Sequence, residues 1–134
     1  MTAPGLQSPL PRQSQALQDL SRALRELHKG LLDAEMDNFP TAKGTADRLA
    51  LVVDHPSFAW LHALSELIVE IDEFADSDAG PAPSLRSWRE AVERLLGPMP
   101  ATHAEFRTRY LDHLQLAPDV AIATGALRQL LARL

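Results

Sequence analysis

His62 and Glu66 are the first pair of residues whose types and spacing could do chemistry. Four residues are about one helical turn, so both side chains would lie on one face, as metal ligands on helices do. A bundle site also needs ligands from other helices, and the Glu-x-x-His spacing of ferritin-like bundles is absent. Other histidines could contribute: His28, His55, His103 and His113. A solvated surface pair is the favoured interpretation, and a divalent metal at His62 and Glu66 is the alternative.

Ser65 and Asp72 form a second pair, seven residues apart and therefore on one side of the same helix. That side is mostly apolar, and a buried carboxylate without a partner costs several kcal/mol. The sequence therefore predicts a partner for Asp72. Arg107 is the first choice because it lies in the apolar arc of a later helix, and Tyr110 and Arg22 follow.

The residues Ser65, Asp72, Arg107 and Tyr110 are thus predicted to form a buried polar network. Such a network can fix the register of packed helices. It could instead be a polar pocket that binds a small ligand. No nucleophile, second carboxylate or glycine-rich loop converges on Asp72 in the sequence, so the structural role is favoured. No catalytic residue and no cofactor is predicted.

The stretch that must position these residues is HPSFAWLHALSELIVEIDEFAD, residues 55 to 76. Projected at about 100° per residue, it has two opposed apolar stripes, which predicts a central buried helix over about 56–76. The stripes contain Trp60, Leu64, Leu67, Ile71 and Phe74 on one side, and Phe58, Leu61, Ile68 and Val69 on the other. The narrow polar strip between them carries His62, Glu66, Glu70 and Glu73.

Similar periodicity elsewhere predicts an all-α, compact bundle of five to six helices. The other helices are expected at about 14–38, 46–54, 85–96, 103–116 and 120–134, with Ser84 as the cap of the helix at 85–96 and Pro118-Asp119 between the last two. The helix at 46–54 is expected to turn Ala46, Leu49, Ala50 and Val53 inward.

The first helix carries a leucine stripe, which consists of Leu17, Leu20, Leu24, Leu27 and Leu31. This stripe could be a coiled-coil seam between two copies of the chain. It lasts barely two heptads, whereas a convincing coiled coil needs three or more. Packing within its own bundle is therefore favoured.

Composition limits the domain organisation and the classes of partner. The length of 134 residues and 46% hydrophobic content suit one domain at 14–134, after a disordered Pro-rich tail at 1–13. The absence of cysteine excludes disulfides and thiolate sites. The net charge of −5 argues against nucleic acid. Charged residues interrupt the longest apolar run, so no membrane span is predicted, and the N-terminus lacks the features of a secretory signal.

Two segments, HPSFAWLHALSELIVEIDE (55 to 73) and FRTRYLDHLQLAPDVAIATGALRQLL (106 to 131), resemble a family of short uncharacterised bacterial all-helical proteins. The resemblance implies a helical fold and a bacterial cytoplasmic origin. The family has no established activity, so the resemblance implies none for this chain.

The sequence therefore favours a small cytoplasmic, non-enzymatic interaction or accessory protein. Its expected partner is another protein or a second copy of the chain, as a homodimer. The competing class is a metal- or small-ligand-binding helical bundle that uses His62 and Glu66, or a polar pocket at Asp72.

Overall fold

The computed structural model describes residues 11–76 and 85–134, and within these ranges the chain forms helices and no strand. The α-helices are α1 (Pro11–Met36), α2 (Gly44–Asp54), α3 (His62–Asp76), α4 (Leu85–Leu96), α5 (Ala104–Leu116) and α6 (Pro118–Leu131). A 3₁₀ helix, Pro56–Leu61, leads directly into α3. The predicted all-α bundle is confirmed.

Helix α1 begins three residues earlier than the sequence suggests. Pro11 is its first residue, a position where the missing N–H of proline costs nothing. Residues 11–13, assigned to the tail, therefore belong to the helix, and Ser14, which the sequence suggests as its N-cap, lies inside it. Residues 1–10 of the predicted tail lie outside the described residues.

The leucine stripe of α1 is fully buried within its own chain. It packs against α3 on one side and α6 on the other, and the 3₁₀ helix and α5 complete its surroundings. The prediction that the stripe belongs to its own bundle is confirmed. It offers no seam to a second copy of the chain.

The central segment at 56–76 is buried along most of its length, as predicted. Pro56 ends α2 and starts the 3₁₀ helix, where the Ser57 N–H donates to His55 Nδ1 at 3.1 Å. The buried side chains are Phe58, Trp60, Leu61, Leu64, Leu67, Ile68 and Ile71. Val69 differs from the prediction because it is 52% exposed. Helix α2 packs mainly on the 3₁₀ helix and leaves this part of α3 uncovered.

Helix α2 lies on the bundle with the opposite face from the one predicted. It contains no buried residue, and the residues expected to point inward, Ala46, Leu49, Ala50 and Val53, are all exposed. Leu51 and Val52 are half-buried and make its contact with the core. Packing of α2 against the short 3₁₀ helix needs only these two side chains, so the rest of its apolar surface faces outward.

The last three helices close the core around α1. Their buried side chains are Val92, Leu95 and Leu96 of α4, Phe106 and Tyr110 of α5, and Val120, Leu127, Leu130 and Leu131 of α6. The composition of SDAGPAP predicts a loop at 77–83, with Ser84 as the cap of the next helix, and these residues lie outside the described ones. None of the helices in the described ranges is long and apolar enough to cross a membrane.

Candidate functional site

Asp72 is bound by two side chains of α1. Its Oδ1 accepts a hydrogen bond from Ser21 Oγ at 2.6 Å, and its Oδ2 forms an ion pair with Arg25. Arg25 Nε also donates to Ser21 Oγ at 3.2 Å, which links all three groups. The partner of Asp72 therefore comes from α1 and not from α5. Arg22, one of the two alternatives to Arg107 from the sequence, is exposed and lies 3.7 Å from Asp19.

Ser65 contacts a histidine that the sequence did not connect to it. The distance from Ser65 Oγ to His28 Nε2 is 3.0 Å, and Ser65 Oγ also lies 3.4 Å from the carbonyl oxygen of Leu61. Burial lowers the pKa of His28 from its ordinary value of 6.5, so the ring is neutral at pH 7. A neutral imidazole nitrogen can accept the proton of the serine hydroxyl.

These two contacts form one polar seam between α1 and α3, defined by Ser21, Arg25 and His28 on α1 and by Ser65 and Asp72 on α3. Ser21 and His28 are seven residues apart, as are Ser65 and Asp72. Because Ser21 meets Asp72 and His28 meets Ser65, the two helices run antiparallel in matching register. The contacts are about 10 Å apart along the helices, which is two turns.

Arg107 has a different role from the one predicted. Its guanidinium donates to the carbonyl oxygens of Glu93, Arg94 and Met99, at and just beyond the C-terminal end of α4. The last carbonyls of a helix have no partner within the helix, and a cation there also opposes the negative end of the helix dipole. The predicted pair between Asp72 and Arg107 is not formed because α5 directs Arg107 towards α4.

Tyr110 is buried, and its hydroxyl lies 2.9 Å from Thr124 Oγ1 of α6. The four residues of the predicted network are thus divided among separate contacts. Ser65 and Asp72 belong to the polar seam, Arg107 caps α4, and Tyr110 joins α5 to α6.

His62 and Glu66 form the pair that their spacing predicts. His62 Nε2 lies 2.8 Å from Glu66 Oε1, and both side chains are exposed. Among the residues the structure describes, no cluster of three or more His, Cys, Asp or Glu side chains is arranged to hold a metal ion. A metal at this pair would therefore have two protein ligands from one helix, and solvent would fill the other positions.

A buried carboxylate that the sequence analysis missed lies at the other end of α1. Glu35 is 3% exposed, and its Oε1 lies 2.9 Å from His113 Nε2 and 3.5 Å from Arg109 Nη1. The ring of Trp60 stacks on His113 at a centroid distance of 5.8 Å. Glu35 follows Leu31 by four residues, so extending the leucine stripe by one turn would have placed it in the core.

The surface between α2 and α3 is an open apolar groove of about 410 Å³ with the His28 and Ser65 contact in its wall. The groove residues are His28, Leu32, Val52, Val53, Phe58, Ala59, Leu61, His62 and Ser65. A shallower depression of about 290 Å³ continues it along α3 and shares His62 and Ser65 with it. We call this continuous surface the α2–α3 groove.

A further depression of about 480 Å³ lies on the other side of α2, where Phe39, Leu51 and His55 contribute to the lining. The ring of Phe39 packs against His55 at a centroid distance of 4.8 Å. Helix α2 therefore lies between two concave surfaces, and its outer face is exposed to solvent.

The chemistry available in the α2–α3 groove is hydrogen bonding and apolar contact. A Ser–His contact can activate a serine when a third group orients the histidine. Within residues 11–76 and 85–134, no carboxylate contacts His28. Comparisons of the chain with family models, with curated proteins and with solved structures found no match.

Proposed function

We propose that this protein is a small, non-enzymatic interaction or accessory module that binds a protein partner through α2 and the α2–α3 groove. The observation that carries the proposal is the exposed apolar face of α2. Leu49 is 60% and Val53 71% exposed on a helix without a single buried residue. Helices in folded domains are normally stabilised by burying an apolar face, so a helix that leaves its own uncovered is suited to bind another molecule.

Val69 of α3 supports this assignment because it extends the apolar surface beyond α2. The path from Val53 through the α2–α3 groove to Val69 presents apolar side chains from α1, α2, α3 and the 3₁₀ helix. Concave apolar surfaces with a few polar groups are typical of binding sites.

The same proposal includes a bacterial cytoplasmic origin. It also includes membership of the family of short helical proteins that residues 55–73 and 106–131 resemble. If the protein partner is a second copy of the chain, the proposed complex is a homodimer. Light scattering at several protein concentrations measures the mass, and twice the chain mass of 14.7 kDa would make the partner a second copy.

Small-ligand binding is the second candidate function, and the His28 and Ser65 contact in the groove wall favours it. A ligand at Asp72 would have to displace Ser21 and Arg25, since they occupy both carboxylate oxygens. Binding of a divalent metal by His62 and Glu66 is the other kind of ligand binding within this second candidate function. Elemental analysis of the purified protein tests it, and sub-stoichiometric metal in every preparation would rule it out.

The proposed function is tested by photo-crosslinking. A benzophenone amino acid replaces Val53 in the binding surface, or the exposed Gln129 of α6 as a matched control. In an extract of the source cells we expect a protein adduct from position 53 and none from position 129. Excess unlabelled protein should suppress the adduct, whereas excess Val53→Asp protein should not. Equal adducts at both positions, or equal suppression by both competitors, would contradict the proposal.

A further inference from the structure

The shape of the α2–α3 groove limits what can fill it. Its walls are helices and a 3₁₀ helix, and the described part of the chain has no sheet edge that could pair with an extended strand. From His62 to Val69 the groove follows α3 for seven residues, which is about 10 Å or two helical turns. An amphipathic helix lying in an apolar groove uses side chains at i, i+3, i+4 and i+7 over this length.

The charged side chains that line the groove are glutamates. Glu66 and Glu70 line the depression that continues it along α3, and the exposed Glu73 lies one turn further on. No lysine or arginine lines either part of the groove in the described residues. Arg94 lines a neighbouring depression on the α4 side of α3, and Glu66 and Glu70 line that depression as well. His28 is neutral at pH 7 because burial lowers its pKa.

A second copy of the chain fits this surface poorly. In a two-fold symmetric dimer the same patch meets itself, so Glu66 and Glu70 of each copy would lie near those of the other. Like charges facing each other across an interface oppose binding. A partner with positive charges along the edge of its apolar face would instead be attracted.

We propose that the occupant of the α2–α3 groove is an amphipathic α-helix of another protein, two to three turns long, with Lys or Arg along one edge of its apolar face. This inference rests on the proposed function and names the class of partner. The apolar side chains of that helix contact Val53, Ala59 and Val69, and its basic edge lies along Glu66 and Glu70.

The test uses defined peptides as probes. A helical 14-residue peptide of leucine and lysine, and its counterpart with glutamate in place of lysine, are titrated with the protein by fluorescence anisotropy. We expect the lysine peptide to bind and the glutamate peptide to bind at least about tenfold more weakly, since opposite charges meet in one case and like charges in the other. Equal affinity of the two peptides would overturn the inference.

Variants locate the binding surface. Val53→Asp and the double variant Glu66→Lys with Glu70→Lys should each weaken the lysine peptide about tenfold, because the first buries a carboxylate and the second reverses the attraction. The matched controls are Ile122→Asp, which changes an exposed apolar residue of α6, and Glu105→Lys, which reverses an exposed charge of α5. Controls that weaken binding as much as the groove variants would overturn the inference. Circular dichroism verifies that every variant is folded.

The two proposals fail in different ways. If the lysine peptide does not bind but the adduct at position 53 persists and is suppressed only by the unaltered protein, the partner class is wrong and the proposed function stands. If the competed adduct is absent, the proposed function fails whatever the peptide does. Sedimentation of the protein alone shows whether a second copy occupies the surface, and a dimer abolished by Val53→Asp would also overturn the partner class.

Discussion

At the scale of single residues, Asp72 is held by two side chains of α1 and is still partly open to water. Its side chain is 34% exposed, and Arg25 is more exposed than Asp72. The contribution of this ion pair is therefore reduced by solvent screening. The hydrogen bond from Ser21, at 2.6 Å, is the more sheltered contact because Ser21 is buried.

Replacing Asp72 by asparagine is expected to lower the free energy of unfolding by about 1 kcal/mol, since a charged hydrogen bond and a partly screened ion pair are both weakened. Urea denaturation measures the change. Glu73→Gln, an exposed neighbour, is the control and should be close to neutral. A double-mutant cycle with Ser21→Ala should show coupling between the two sites. Independent effects of the two substitutions would contradict the assigned contact.

His28 makes stability depend on pH with a definite sign. Its pKa in the folded protein lies below the ordinary 6.5, so the folded state disfavours the protonated ring. The stability that the neutral ring of His28 contributes is fully present above about pH 6.5. It is lost as the pH falls through the lower pKa that the ring has in the folded state. Between pH 7.5 and 5 the unaltered protein should therefore lose more unfolding free energy than His28→Gln does. A parallel pH dependence of the two proteins would contradict this, and the exposed His103→Gln serves as the control.

The residue-level features could be predicted only in part. The seven-residue spacing of Ser65 and Asp72 placed both on one side of α3, where each contacts a polar side chain of α1. The partner of Asp72 could not be identified from the sequence, because Arg25 lies beside the leucine stripe at a position that the pattern predicts to be exposed to solvent. Periodicity places a side chain on a face of its own helix, but which helix lies opposite is decided by the packing of the whole bundle.

At the scale of elements, apolar periodicity predicted the type and position of the helices. It predicted which face of a helix points inward only where the helix buries a continuous apolar stripe. Helix α1 has such a stripe, so its inward face was predicted correctly. Helix α2 has apolar residues around most of its circumference, including Leu49, Leu51, Val52 and Val53. Its sequence pattern cannot distinguish an inward from an outward face, so the wrong face was predicted.

Gly30 offers a test of how α1 packs against α6. A Cβ added at Gly30 would lie 3.5 Å from Val120 Cγ2, an ordinary van der Waals distance. Gly30→Ala is therefore expected to raise the free energy of unfolding by up to about 1 kcal/mol, since alanine favours the helix. Gly97→Ala should lower it, because Gly97 has a φ of +113° after α4. Thermal denaturation of both variants gives the two signs, and destabilisation by Gly30→Ala would mean that the helices lie closer together.

At the scale of the whole molecule, the leucine stripe makes α1 the contact shared by α3, α5 and α6. A stripe buried within one chain and a stripe shared by two copies respond differently to dilution. Only in the second case does the unfolding midpoint depend on protein concentration.

Leu24→Ala is expected to cost about 2 to 5 kcal/mol of unfolding free energy, the range for a fully buried leucine. The midpoint in urea should not change with protein concentration. Leu116→Ala is the matched control because Leu116 is 82% exposed, and its effect should stay within about 0.5 kcal/mol. A concentration-dependent midpoint would instead place the stripe between two chains.

The packing of α1 against α6 also has a consequence for synthesis on the ribosome. Roughly one hundred residues separate the leucine stripe from the α6 residues that cover it, and at about 5 to 20 residues per second the ribosome needs several seconds to make them. During that interval the nascent chain exposes five leucines on one helix face with α6 not yet made. This protein is therefore expected to depend on chaperones most strongly while it is being made, and a ribosome stalled before Pro118 should hold a chain that a chaperone still binds.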